Sequence, residues 1–165
     1  VTLDLGGPLL NLGGEPTPGS GGSQFAPGET VTGRERVFNT TPYPMTLVGL
    51  LPPFTGGDSA CGEVAPREGC DIRWSFVPAS SGPFDSTIRA TFSTICTDAQ
   101  QVPCSGAAQE GPSTDRPVTV RWIALVGRTF GEVLPSDSGT DMVPDGPTSQ
   151  SDTPGTSATP ATTAE

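Results

Sequence analysis

The sequence predicts an all-β protein, an antiparallel β-sandwich, and three observations carry that expectation. Apolar and polar residues alternate in several short runs, the period-2 signature of strands with one face in a core and one in water. Proline and glycine, 19 and 22 of the 165 residues, punctuate those runs as turn residues do. Long stretches of strong helix formers are missing, so helix is not expected to dominate. A chain of 165 residues is long enough for one domain with a real core.

Taken in order, residues 1–24 read as an N-terminal strand and a Gly/Pro-rich linker. Val1, Leu3, Leu5, Leu9, Leu10 and Leu12 form an apolar pattern interrupted by Gly6, Gly7 and Pro8, as in a first edge strand, and residues 13–22 form a flexible connection. Residues 25–131 hold the sandwich. Thr30 to Thr40 has strand composition, Pro42 and Pro44 break it, and Met45 to Leu51 is the next apolar run. Ile72, Trp74 and Phe76 alternate with Asp71, Arg73 and Ser75 until Pro78 stops the strand. Ser80, Ser81, Gly82 and Pro83 then supply turn chemistry before Ile88, Ala90 and Phe92, so these two runs are expected to pair as adjacent antiparallel strands. A long loop spans Thr97 to Arg116. The last run, from Pro117, places Val118, Val120, Trp122 and Ala124 on one face. Residues 132–165, rich in Ser, Thr, Pro and acids, cannot bury enough apolar surface to offset ordering entropy and read as a disordered tail.

Four cysteines with no histidine to complete a zinc site favour disulfides over metal. Three connectivities satisfy four cysteines; local pairing, Cys61 with Cys70 and Cys96 with Cys104, is the simplest. Such pairing places the protein in an oxidising compartment, secreted or at the cell surface. The chain does not begin with Met and shows no signal peptide, as expected of a mature protein that has lost its leader. No apolar run approaches the ~18–20 residues of a membrane span, so no membrane insertion is expected.

The net charge is −10, with twelve acids against eight arginines up to Gly131 and six acids with no base after it. Such a balance repels phosphate backbones, and nucleic acid is not an expected partner. The absence of histidine removes Ser-His-Asp and Cys-His catalysis and most transition-metal sites. No catalytic residue, metal site or cofactor is expected. A carboxylate pair drawn from Glu63, Glu68, Asp71 and Asp85 is the one remaining route to hydrolysis, and solvated loop charges explain those residues as well. Asp137, Asp141 and Asp145 lack the alternating ligands and glycine turn of a calcium loop.

Asn39-Thr40-Thr41 satisfies the N-glycosylation sequon, which makes Asn39 a glycosylation candidate. Trp74, Phe76, Phe92 and Trp122 occupy core positions of the alternation. Tyr43, between two prolines, and Phe54, after Pro52-Pro53, fall at turns and are the candidate binding aromatics.

Asn39-Thr40-Thr41 after a strand, the T-L-V-G-L run from Thr46 to Leu50, and C-x8-C-D-I-R-W-S-F-V-P-A-S-S-G-P-F from Cys61 to Phe84 together resemble ASH-type domains. These are Hydin-like relatives of the major sperm protein fold, similar to modules of bacterial choice-of-anchor D surface proteins. The closing I-A-L-V-G at Ile123 to Gly127 fits the same pattern, and the resemblance covers about Phe25 to Gly131. Trp74 is bulkier than the family's usual residue, and the loop from Thr97 to Arg116 is longer and carries its own cysteine pair. The resemblance implies an immunoglobulin-like sandwich of about seven strands, without catalytic residues, serving as an interaction or spacer module. The expected function is therefore a non-enzymatic extracellular structural or interaction module, presenting loops or an edge strand to a protein or glycan partner, or to itself by strand addition. A virion or particle decoration protein and a small carboxylate-dependent glycan hydrolase are the alternatives.

Overall fold

A computed structural model describes residues 1–13, 17–19, 24–56 and 61–137. Alternation organises nearly all of it into strands: β1 (Thr2–Asn11), β2 (Thr17–Pro18), β3 (Gln24–Phe25), β4 (Val31–Phe38), β5 (Met45–Leu50), β6 (Thr55–Gly56), β7 (Glu63–Val64), β8 (Gly69–Phe76), β9 (Gly82–Cys96) and β10 (Val118–Val133). Six of these are long and four have two residues, against about seven expected. A short 3-10 helix, Cys104–Glu110, lies inside the long loop.

The strands form two sheets. The larger has the order β1-β10-β9-β5-β7, with β2 and β3 also on β10, and the smaller has the order β4-β8-β6. A three-stranded sheet facing one built on β5, β9 and β10, with this connectivity, is the arrangement of an immunoglobulin-type sandwich. The fold is thus all-β as expected, with a departure from strictly antiparallel pairing: β10 takes β2, β3 and β1 in parallel, the longest of these being β1. It is an edge strand, and it pairs within its own chain. Gly6 and Gly7, at φ 59° and 57°, take the left-handed backbone that lets the register jump between Asp4 and Pro8.

Two sequence expectations are corrected. The runs Ile72–Phe76 and Ile88–Phe92 do not pair; β8 bonds to β4 and β6, whereas β9 bonds to β10 and β5. Residues 77–81 carry the chain from one sheet to the other, and the two strands face each other across the core. Alternation reports which face is buried and is identical for strands side by side or face to face. The sandwich also overruns both expected boundaries. β1 belongs to the larger sheet, and β10 continues to Val133, where Val133 pairs with Phe25 and the Leu134 N–H donates to the Phe25 carbonyl at 2.8 Å. Composition changes near residue 132, but the ladder does not, because its hydrogen bonds are backbone bonds indifferent to side chain. Finally, residues 14–16 and 20–23 of the expected linker and 138–165 of the expected tail lie outside the described residues.

The core is built from the inward faces of both sheets. Val31, Val37, Ile72, Trp74 and Phe76 of the smaller sheet meet Ile88, Ala90, Phe92, Val120, Trp122 and Ala124 of the larger, all buried. Phe92 and Trp122 stack with centroids 5.3 Å apart, and the Trp122 indole N–H donates to Thr94 Oγ1 at 3.0 Å, which satisfies its one polar atom.

Candidate binding surface

Each candidate residue can now be placed. Cys61–Cys70 and Cys96–Cys104 are the two disulfides, with Cα separations of 5.4 and 5.6 Å. The local pairing is therefore the one formed. Both sit at the end of the sandwich where β4 gives way to β5, and disulfides of this kind mark an oxidising environment.

Asn39 directly follows β4 and is fully buried. Its amide Nδ2 donates to the carbonyls of Tyr43 and Val64 at 2.8 and 2.9 Å, and its Oδ1 accepts from the Thr41 N–H at 2.9 Å. Thr41 Oγ1 lies a further 2.7 Å from that oxygen and 2.8 Å from the Tyr43 carbonyl. The glycosylation candidate is thereby corrected: the nitrogen a glycan would modify is enclosed in the folded chain and both its protons are engaged. Asn39 is instead the hub that closes the turn from β4 into β5.

Tyr43 is half-buried in that turn, and its hydroxyl donates to the Asp98 carbonyl at 3.1 Å, tying the turn to the loop beyond Cys96. Burial first and the Asp98 carboxylate second push its phenol above the ordinary value. Phe54 is corrected as a binding aromatic. It is buried, edge-on to Trp74 at 5.7 Å and 4.8 Å from Phe76. A Pro-Pro turn reads as surface in the sequence, yet this one folds the next side chain under the smaller sheet.

Of the carboxylates considered for hydrolysis, Asp71 and Asp85 stand on different sheets. Asp85, on β9, is held by a two-pronged pair with Arg128, and the hydrogen bond from that guanidinium keeps its carboxyl below the usual aspartate range. Asp71 lies on β8, in the opposite sheet, and is engaged by Arg34 and Arg36 at 3.7 and 3.5 Å. Among the described residues no group of three His, Cys, Asp or Glu is placed to hold a metal ion. No described helix is long and apolar enough to cross a membrane.

The surface that sequence reading missed is the outer face of β4-β8-β6. Register sets Thr32 opposite Ser75, Arg34 opposite Arg73, and Arg36 opposite Asp71. These residues point outward because their neighbours Val31, Val37, Ile72, Trp74 and Phe76 fill the core. Between the rungs lies a depression of about 530 Å³. Its floor is the row Gly33, Trp74, Gly56, which crosses all three strands, and Arg34 and Arg73 stand along one side with Thr32 and Ser75 along the other. Gly33 is required there by close approach from the core side: a Cβ on it would lie 2.2 Å from Trp74 Cζ2. The bulky Trp74 is thus accommodated by a glycine on the neighbouring strand. At the far side Thr55 Oγ1 and Ser75 Oγ share a hydrogen bond of 3.0 Å.

The charge of this face is opposite to that of the chain. Arg34 and Arg36 share one aspartate, and Arg73 has no ion-pair partner among the described residues. The signal was present in the sequence as Arg34, Arg36 and Arg73 at outward positions, but only the β4–β8 register brings them together.

Comparison with known proteins adds little to this geometry. No family model and no curated protein matches the chain. Among solved structures it is similar to the VesB protease of Vibrio cholerae at 12% identity and a TM-score of 0.37, over 72% of this chain and 30% of that one. The chain therefore spans less than a third of the protease, and a similarity of that size bears on neither fold nor chemistry.

Proposed function

We propose that this chain is a non-enzymatic, secreted or surface-exposed interaction module of the ASH type, which presents the outer face of its smaller sheet to a protein or glycan partner. The observation that carries the reading is the arginine-rich depression of β4-β8-β6, a cationic face on a chain of net charge −10. Positive groups without internal partners act on a neighbouring molecule, whereas paired ones act on the fold. The disulfides and the Asn39 hub support the reading by making the scaffold rigid, as a module exposed to an oxidising medium needs.

The test is binding to panels of glycans and of cell-surface proteins, read by surface plasmon resonance, with R34A/R36A/R73A beside the wild-type chain. R89A/R121A, two exposed arginines of the larger sheet, serves as the matched control. A partner retained by the control and lost by the triple variant is the expected result. A partner bound equally by all three proteins contradicts the proposal.

A further inference from the structure

The chemistry of the partner follows from the same depression, and this inference rests on the reading just given. We infer that it is a subsite for an acidic glycan, with one sugar carboxylate seated between Arg34 and Arg73. The two arginines are directly opposed across the β4–β8 ladder. Side chains so placed have Cβ atoms roughly 4.5–5.5 Å apart, and like charges there repel. Arg34 reaches Asp71 only at 3.7 Å and shares it with Arg36, and Arg73 has no acid among the described residues. A carboxylate entering from outside is held by both planar guanidinium forks and removes the repulsion between them.

Three features favour a sugar over other acidic polymers. At Trp74 and Ser75 β8 is bonded on both sides, to β4 and to β6, so a peptide cannot add as a strand at the centre of the floor. None of the exposed large apolar side chains lines the depression, which leaves a protein partner without the central anchor on which such interfaces depend. The side opposite the arginines carries hydroxyls instead, with Ser75 and Thr55 3.0 Å apart, and these can both donate to and accept from sugar hydroxyls. Charge density separates a glycan from nucleic acid. A duplex carries one phosphate per ~1.7 Å, too dense to approach an acidic chain through a single pair of arginines. A glycan with one carboxylate per disaccharide presents one charge to the pair, and screening over ~8 Å at physiological salt mutes the repulsion from the rest of the surface.

The experiment is isothermal titration of the full chain with a hyaluronan hexasaccharide, with the same hexasaccharide after reduction of its carboxylates to alcohols, and with polyglutamate. R34E/R73E and the R89A/R121A control are titrated alongside, with circular dichroism and the mass of both disulfides confirming that each variant is folded. The expected result is binding of the acidic hexasaccharide alone, about ten- to a hundredfold weaker in R34E/R73E, unchanged in the control, and weaker as salt is raised. Equal binding of the reduced sugar, preferential binding of polyglutamate, binding unaffected by R34E/R73E, or no binding of the hexasaccharide overturns the inference. If another partner on the panels is lost by R34A/R36A/R73A while the hexasaccharide fails, the interaction reading survives and the acidic-sugar assignment falls.

Discussion

At the end of the sandwich where β4 meets β5, the polar groups answer one another. Asn39 makes four contacts with chain atoms, Tyr43 reaches Asp98, and two disulfides close the loops on either side. On the outer face of β4-β8-β6 Arg34 and Arg36 divide one aspartate, and Arg34 and Arg73 line an open depression. Both regions are rich in polar side chains at strand positions, and they differ in where those side chains find partners. Groups satisfied internally hold the fold and offer little to a partner; groups left facing water with like charges opposed add little to stability and are available for recognition. Substitutions at the two regions should therefore separate stability from binding.

The largest effect is expected from the cysteines. Each disulfide closes a loop with a sequence separation of 9 or 8. Loops of about ten residues correspond to roughly 2.6 kcal/mol each on the chain-entropy model, so replacing all four cysteines by serine should cost about 5 kcal/mol in urea denaturation. Asn39→Ala comes next. It removes both donated and both accepted hydrogen bonds and leaves buried carbonyls unpaired, an expected loss of about 2–4 kcal/mol with binding by the remaining folded protein unchanged. A loss below about 1 kcal/mol would break the comparison by showing that the hub is dispensable.

A subtler effect concerns Tyr43, the single tyrosine of the chain. Its folded value is raised above the ordinary 10.0 by burial and by Asp98. The native state then holds the phenolic proton to higher pH than the unfolded chain does. The resulting stabilisation is present in full below the ordinary value and is lost as pH rises through the folded one. Tyrosinate absorbance should titrate at higher pH in the folded protein than in urea, and coincident titrations would show that the turn does not enclose the ring.

Much of this fold was legible because burial imposes a period on sequence. The inward set Ile72, Trp74 and Phe76 and the inward set Val118, Val120, Trp122 and Ala124 were readable directly, and all are buried. Local disulfide pairing was readable as the simplest of three options. Partnership between strands was not, because alternation carries no information about neighbours: it fits β8 and β9 side by side as well as in the opposed sheets they occupy. The candidate surface was illegible on the same ground. Arg34 and Arg73 lie 39 positions apart in the chain, and only the antiparallel register of β4 with β8 makes them a pair. Asn39 and Phe54 show the converse error, in which a sequon and a proline-flanked aromatic carry surface signatures that tertiary packing overrides.

The most direct measurement is made on one protein, R34A/R36A/R73A, by following its urea unfolding and its binding of the hyaluronan hexasaccharide side by side with R89A/R121A. The account predicts unfolding free energies within about 0.5 kcal/mol of wild type for both variants, since exposed side chains on strands contribute little to stability. It predicts loss of binding in the first variant alone. Binding retained by R34A/R36A/R73A, or lost equally by the control, would contradict the claim that the outer face of the smaller sheet is where this protein meets its partner.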